Sequence, residues 1–139
     1  MGSFIIKDNN ISFDDVFTII NKNLKISLND DIVEKVTKSR NTFDEKIKSS
    51  DQKFYGINTG FGDLHNVKIK DDQLGLLQEN LIKSHACGVG NSVDSKIVKL
   101  MLLLKIISLT KGYSGIKIQT VNRLLFFYNN DILPVVYKY

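Results

Sequence analysis

The residues of this sequence that are best suited to chemistry lie in two glycine-rich turns. The first turn, residues 55–62, places Tyr55 before three glycines, Gly56, Gly60 and Gly62. Glycine permits positive φ and close backbone approach, so such a loop can lie over a ligand and can move. A phenol titrates near about pH 10 in water, so a tyrosine acting as acid or base near neutrality needs a cationic or electrophilic neighbour. Taken alone, the pattern is more simply interpreted as an ordinary turn at the end of a strand.

The second turn carries Ser84, His85 and Cys87 ahead of Gly88 and Gly90. A histidine near a helix C-terminus is favoured as the cation and can meet a polar group of a ligand, although a surface or core histidine is the simpler interpretation. A Cys87 nucleophile paired with His85 is disfavoured, because residues two apart on a helix do not face each other. We propose from these turns that they form two halves of one site.

Several classes of site are disfavoured by composition. The first turn lacks the Gly-Lys-Ser/Thr ending and the G-x-G-x-x-G spacing of a phosphate cradle. The two histidines, His65 and His85, have no carboxylates at ligand spacing, so no metal site is predicted. The single cysteine excludes a disulfide within the chain. Arginine is scarce and the charges that sum to +4 are interleaved, so no nucleic-acid partner is expected.

The location predicted from the sequence is cytoplasmic, with no membrane partner. The first residues lack the basic and apolar regions of a signal peptide. The most apolar run, residues 97–109, is shorter than a bilayer requires and contains Lys99 and Lys105. That run therefore predicts a buried helix.

The elements that position the first turn are predicted from periodicity and capping. A short strand at residues 4–6 precedes a turn at 8–10, and Ser12 with Asp15 forms a capping box for a helix over 13–22. A second extended piece covers residues 24–28. Asn29 caps the next helix, which ends at 49–51. The inward stripe of that helix is predicted to be Ile32, Val33, Val36, Phe43 and Ile47.

The second turn is predicted to follow a helix over residues 71–85 that is terminated by Gly88 and Gly90. Further helices are predicted over 95–111 and 119–129, followed by an extended tail at 132–136. The helix over 95–111 is apolar around most of its circumference, so we expect the C-terminal third to need covering by more chain or by other subunits. The inward residues of the 71–85 helix are predicted to be Leu74, Leu77, Leu81 and Ile82.

Several segments together resemble a known family. They are YGINTGFG at 55–62, NLIKSHACGVG at 80–90, LKIISLTKGYSGI at 104–116 and ILPVV at 132–136. In this order they resemble the N-terminal part of the aromatic amino acid ammonia-lyases, and within that family the histidine ammonia-lyases. The resemblance implies a mainly α fold with a few short strands, of the fumarase/aspartase-like ammonia-lyase type. It also divides the single 1–139 unit into a substrate-loop region over about 1–92 and the first helices of a central bundle over about 93–139.

The resemblance implies the elimination of ammonia from an amino acid, which for L-histidine gives trans-urocanate. It implies that Tyr55 removes the β-proton and that Ser84 and His85 bind the substrate and favour histidine. Gly56, Asn58, Thr59, Gly60 and Gly62 would shape the loop. The family's electrophile is methylidene-imidazolone, formed by the protein itself from an Ala-Ser-Gly segment, and its site is assembled from several subunits of a homotetramer.

No Ala-Ser-Gly tripeptide occurs in the 139 residues. We therefore expect no turnover by this chain alone. The alternative is a standalone, non-catalytic domain that assembles with or regulates a full-length ammonia-lyase. A small basic nucleic-acid-binding module is a distant third hypothesis.

Overall fold

A computed structural model describes residues 2–7, 10–49 and 52–139. The fold is mainly helical with a small sheet, as predicted. The elements in chain order are β1 (Ser3–Ile6), α1 (Phe13–Asn21), β2 (Lys25–Leu28), α2 (Asp30–Ser49), α3 (Leu74–His85), α4 (Ser95–Thr110) and α5 (Ile118–Asn129), with short 3-10 turns at Gly62–Leu64 and Asp71–Gln73.

The N-terminal part is a βαβ unit in which α1 connects two parallel strands. β1 pairs with β2 from Ser3 opposite Lys25 to Ile6 opposite Leu28. The predicted capping box is confirmed, because Ser12 Oγ accepts from Asp15 N at 3.1 Å and Asp15 Oδ2 accepts from Ser12 N at 2.9 Å. The Ser12 hydroxyl, which donates to Asp15 Oδ2 at 2.7 Å, and then the Ser12 amide lower the pKa of the Asp15 carboxyl. Of the predicted turn at 8–10, positions 8 and 9 lie outside the described residues.

Part of the apolar side chains of α1 and α2 stays outside the core. In α1 the buried side chain is Ile19, while Phe13 and Phe17 point outward. In α2 the Asn29 cap is confirmed, with Asn29 Oδ1 accepting from Ile32 N at 3.2 Å. The prediction that Val33 faces inward was wrong, because that side chain is exposed. Ser49 is the last residue of α2, and positions 50 and 51 are not among the described residues.

One hydrophobic core joins the βαβ unit and α2 to α4 and α5. Tyr128 is completely buried in it, and burial together with the nearby Asp131 carboxylate raises the pKa of the Tyr128 phenol to about 12. Asn129 bridges to β2, since its side chain accepts from Ile26 N and donates to Ile26 O, both at 2.8 Å. The core members are Ile6, Ile19, Ile26, Ile32, Val36, Leu103, Ile106, Leu109, Val121, Leu125 and Tyr128. The core therefore draws on both sides of residue 92, where the division of the chain stays a prediction.

Lys99 lies beside this core and contacts three residues, one of which is Tyr128. Its Nζ donates to Asn23 Oδ1 at 2.6 Å, pairs with Asp131 and lies 4.9 Å from the centre of the Tyr128 ring. Asn23 and Asp131 have φ values of 47° and 54°, in the left-handed region that non-glycine residues seldom adopt. Lys99 therefore contacts both of these residues with left-handed backbone, Asn23 after α1 and Asp131 after α5, and we infer that it stabilises these two conformations.

The predicted helix over 95–111 is confirmed as α4, whose N-cap Asp94 accepts from Lys96 N at 2.8 Å. One face of α4 packs in the core, but Ile97, Met101 and Leu104 on another face are about half exposed. The chain thus leaves apolar surface of α4 uncovered. In the part of the chain that is described, no helix is both long and apolar enough to cross a membrane.

Candidate functional site

Tyr55 lies at the exposed end of the first turn. Ile57 N and Asn58 N donate to Phe54 O at 3.1 and 3.2 Å, so the chain turns at Tyr55, and residues 52–54 before it form no strand. The Tyr55 side chain is 64% exposed. Its hydroxyl accepts a long hydrogen bond of 3.4 Å from Gly62 N, and its ring meets Phe61 edge-on with centroids 6.1 Å apart. The phenol is therefore accessible and weakly held.

The base of the same turn is rigidly built from two buried polar side chains. Asn58 Oδ1 accepts from Phe54 N at 2.7 Å, and Asn58 Nδ2 donates to Gln52 O at 3.0 Å. Thr59 Oγ1 accepts from Gly56 N at 3.3 Å and donates to Gly60 O at 3.1 Å. Buried polar groups are stable only when their hydrogen bonds are satisfied, so these contacts specify one conformation of the base.

The glycines of the turn serve different purposes. Gly56 has φ +71° and Gly62 has φ +57°, conformations in which a side chain is strained. Gly60 is needed for space, because a Cβ there would lie 2.6 Å from Leu64 Cβ and 2.9 Å from Leu64 O. The turn folds back on the following residues, with Gly60 N donating to Val67 O at 3.1 Å.

The helix before the second turn is less buried than predicted. Among its described side chains α3 has no buried residue, and Ile82 is 70% exposed, so the prediction of an inward stripe that includes Ile82 was wrong. α3 also begins at Leu74, after a 3-10 turn, because Gln73 provides no side-chain cap and Gly75 weakens the first helical turn. Leu74, Leu77 and Leu81 of the predicted stripe are half-buried, so this face of α3 is only partly covered.

Ser84 and His85 share one backbone acceptor at the end of α3. Ser84 Oγ donates to Leu81 O at 3.0 Å, and His85 Nδ1 lies 2.8 Å from the same oxygen and 3.0 Å from Ser84 Oγ. A carbonyl oxygen can only accept, so we assign a proton to His85 Nδ1. In the neutral ring this leaves Nε2 as an exposed hydrogen-bond acceptor.

A cleft of about 920 Å³ opens beside the base of the first turn. Gly56, Ile57 and Asn58 line it, together with Leu74 and Gln78 from the beginning of α3. The described lining does not include Tyr55, Ser84 or His85, and no hydrogen bond between described residues joins Tyr55 to that pair. The structure thus brings the loop base near the start of α3, and the joint site of Tyr55 with Ser84 and His85 stays a prediction.

Sequence reasoning missed the ion pair at the wall of this cleft. Arg40 Nε donates to Asp44 Oδ2 at 2.8 Å, a further guanidinium nitrogen donates to Gly115 O at 3.2 Å, and the Arg40 guanidinium lies 5.5 Å from the centre of the Phe43 ring. The hydrogen bond from Arg40 lowers the pKa of the Asp44 carboxyl. The four-residue spacing on a predicted helix is the signal that could have revealed the pair. The pair ties α2 to the turn after α4.

Cysteine, histidine and acidic side chains do not gather in this site. Within residues 2–7, 10–49 and 52–139, no group of three or more such residues is placed to hold a metal ion. Cys87 is exposed and free. The chemistry available here is that of a phenol, an imidazole, a hydroxyl and a cleft lined by both apolar and charged side chains.

A family model for aromatic amino acid lyases matches residues 11–139 of the sequence. The chain belongs to this family. It is 40% identical over 131 residues to histidine ammonia-lyase 2 of Fusobacterium nucleatum, an alignment that covers 94% of this chain and 25% of that protein. The chain therefore spans about a quarter of the length of this relative.

Solved structures of similar proteins agree with the fold. Phenylalanine aminomutase of Pantoea agglomerans superposes with a TM-score of 0.83 at 31% identity, over 91% of this chain and 25% of that one. Histidine ammonia-lyase of Trypanosoma cruzi gives a TM-score of 0.74 at 33% identity, over 90% of this chain and 24% of that one. The fold class predicted from the sequence, the N-terminal portion of an ammonia-lyase, is thus confirmed.

Proposed function

We propose that this chain is the N-terminal part of a cytoplasmic histidine ammonia-lyase, which converts L-histidine into trans-urocanate and ammonia. The observation that carries the proposal is the 40% identity to a histidine ammonia-lyase over nearly the whole chain. The likeness to a phenylalanine aminomutase makes the substrate and the reaction the points to test.

Tyr55 is the proposed base that removes the β-proton of the amino acid. Its exposed hydroxyl and single long hydrogen bond to Gly62 N leave the phenol able to turn toward a substrate. Asn58 and Thr59 hold the base of the loop, so movement of the tip need not disturb the rest of the turn. Gly56, Gly60 and Gly62 permit the backbone path that this arrangement requires.

Ser84 and His85 are the proposed substrate-binding pair. With its proton at Nδ1 the neutral His85 ring presents Nε2 as an acceptor, which suits a donor such as the N–H of a substrate imidazole. The Ser84 hydroxyl donates to Leu81 O, so its oxygen can also accept. This donor–acceptor match supports histidine over an amino acid with a purely apolar ring.

Methylidene-imidazolone, the electrophile of the family, activates the amino group for departure when it is present. These 139 residues contain no Ala-Ser-Gly segment, so they cannot form that group themselves. The proposed partners are the remainder of a lyase and other subunits of a homotetramer, with no nucleic acid, membrane or metal. By itself the chain is proposed to be inactive.

A chimera tests the proposal. This chain replaces the matching N-terminal quarter of the Fusobacterium nucleatum histidine ammonia-lyase 2, and urocanate is followed by its ultraviolet absorbance. We expect turnover of histidine, and in the Tyr55→Phe chimera a kcat lower by about 10²- to 10⁴-fold because the proton acceptor is lost. Tyr113→Phe is the matched control, since Tyr113 is 91% exposed.

Three results would contradict parts of this proposal. A folded chimera that consumes phenylalanine or tyrosine but not histidine would overturn the substrate. Urocanate formed by the purified 139-residue chain would overturn the proposed inactivity. A Tyr55→Phe chimera as fast as its parent would remove Tyr55 from the catalytic step.

A second candidate is a non-catalytic domain that assembles with or regulates a full-length ammonia-lyase. The half-exposed apolar side chains Ile97, Met101 and Leu104 on α4 favour it, because such a surface needs a cover. Stable co-purification of the chain with a complete lyase, together with a chimera that folds and has no activity, would support this candidate over the first.

A further inference from the structure

The chain after α3 pairs with the extended tail after α5. Residues 89–93 and 136–139 form an antiparallel pairing, here named the tail ladder, with Ser92 opposite Tyr137. The backbone hydrogen bonds of the tail ladder run from Val89 N to Tyr139 O at 2.5 Å, from Tyr139 N to Val89 O at 3.3 Å, from Lys138 N to Asn91 O at 3.1 Å and from Val93 N to Val136 O at 2.7 Å.

The two glycines of the second turn, Gly88 and Gly90, pack against tyrosine side chains of this tail and do not form the end of the helix. α3 has already ended at His85. A Cβ at Gly88 would lie 2.9 Å from Tyr137 Cδ2 and 3.2 Å from Tyr137 Cβ. Gly90 has φ +86°, and a Cβ there would lie 3.0 Å from Tyr139 Cδ2. The prediction that these glycines terminate α3 was therefore wrong, because each accommodates a tyrosine ring of the tail.

The tail ladder is the nearest firm attachment of the C-terminal end of α3. Among its described side chains that helix buries none against the core. Ala86 N donates to Ile82 O at 3.0 Å, and Cys87 N donates to His85 O at 2.9 Å. Two residues then separate Ala86 from Val89, the first residue of the ladder. A short connection to a paired strand restricts where the end of the helix can lie.

We propose that Tyr137 is a positioning residue for Ser84 and His85. Its ring lies on Gly88, so the tail ladder and the ring together hold the last turn of α3, on which His85 Nδ1 meets Leu81 O. The importance of this contact for catalysis rests on the proposed function. The contact itself is independent of it and is tested without substrate.

The test uses the 139-residue chain with Tyr137→Ala, Tyr137→Phe and the exposed control Tyr113→Ala. Amide hydrogen exchange and the nitrogen chemical shifts of the His85 ring are measured by NMR. In Tyr137→Ala we expect the Ala86 amide to exchange about tenfold faster and the ring shifts to move toward a mixture of tautomers, since the helix end opens locally. Tyr137→Phe keeps the ring on Gly88, so it restores both signals, and Tyr113→Ala leaves them unchanged.

Faster amide exchange at the core residue Leu103 would show that Tyr137→Ala unfolds the whole chain. A second variant keeps the test decisive in that case. Gly88→Ala introduces the Cβ that meets the Tyr137 ring, so it reproduces the loss at Ala86. In the Tyr137→Ala background the same Gly88 change has a smaller effect, because the 2.9 Å contact with Tyr137 Cδ2 is removed and only the 3.2 Å approach to Cβ stays.

Three results would overturn the proposal. The first is a Val89 amide that exchanges freely in the unmodified chain, which would mean that the ladder does not form. The second is an unchanged Ala86 amide and His85 ring in Tyr137→Ala. The third is a Tyr137→Phe chain that behaves like Tyr137→Ala. None of these depends on turnover, so failure of the proposed lyase function would be seen separately in the chimera.

Discussion

The core and the site-bearing segment of this chain are stabilised by different interactions. In the core, apolar side chains from β1, α1, β2, α2, α4 and α5 are buried against one another. In residues 52–93 the buried side chains include Asn58 and Thr59, which hydrogen-bond to backbone, while α3 buries none of its described side chains. Tyr55, Ser84 and His85 all lie in this less buried segment.

The low burial of α3 indicates which contacts keep this helix folded. An isolated helix of the length of α3 is marginal in water, because nucleation is costly and packing normally supplies the stability. α3 therefore depends on its ends, which are the 3-10 turn on one side and the tail ladder on the other. Burial of apolar side chains stabilises the core. The site-bearing segment is stabilised by a small number of hydrogen bonds and close steric contacts.

The largest expected contrast comes from the same substitution in both regions. Leu103→Ala removes a completely buried side chain of α4, and we expect it to lower the free energy of unfolding by about 3 kcal/mol through lost burial and an unfilled cavity. Leu76→Ala in α3 changes a side chain that is 58% exposed, so we expect a change within about 0.5 kcal/mol. Urea denaturation followed by circular dichroism measures both. Equal losses would show that α3 is packed as firmly as the core.

Alkaline pH should weaken the core through Tyr128. The folded-state pKa of about 12 exceeds the ordinary value of 10.0, because burial disfavours the phenolate and Asp131 adds repulsion. The stabilising contribution is complete below pH 10 and is lost as pH rises toward 12, since the unfolded chain releases the proton first. We expect a decrease of about 2 to 3 kcal/mol in the free energy of unfolding over that range.

Tyr128→Phe is the control for this pH dependence. It keeps the buried ring and removes the titrating hydroxyl, so the part of the decrease that belongs to Tyr128 should disappear. The exposed tyrosines remain in both proteins as a common background. An identical pH profile in the two would place the alkaline sensitivity elsewhere.

Local signals in the sequence predicted the fold well where the interactions are local. The capping box of Ser12 with Asp15 and the Asn29 cap involve near neighbours, and the structure contains both. Burial was harder to predict, because spacing identifies an apolar face without identifying the surface that covers it. The exposed Val33 and the exposed Ile82 are failures of that kind.

The residues of the candidate site could be proposed from their types, but the contacts that support them could not. Tyr55 and His85 stand out beside glycines, and the structure places each at an exposed end of an element. The tail ladder joins residues far apart in the sequence, and nothing in the composition of either segment specifies the other. Gly88 and Gly90 were visible signals whose cause, two tyrosine rings of the tail, needed the structure.

A substitution in the base of the first turn should have a smaller effect that is confined to the turn. Gly60→Ala places a Cβ against Leu64 Cβ and backbone, so we expect the base to open with a local cost of about 2 kcal/mol. The hydrogen exchange of the Gly60-site amide, which donates to Val67 O, and of Ile69 N, which donates to Asn58 O, reports this opening. The core amide of Leu103 should keep its protection. Unchanged exchange at both loop amides would mean that the base tolerates the extra methyl group and is not tightly specified.

The smallest expected effect is a stabilisation, whereas the changes predicted above all destabilise the chain. Gly75 lies in the first turn of α3, and a Cβ there meets no atom within 4 Å. Gly75→Ala should therefore stabilise α3 by about 1 kcal/mol through helix propensity alone. Amides in the middle of α3 would then exchange about fivefold more slowly, while those of α4 would not change. If the α3 amides do not respond, intrinsic propensity does not limit the helix, and the stability of the site-bearing segment is set by the contacts at its ends.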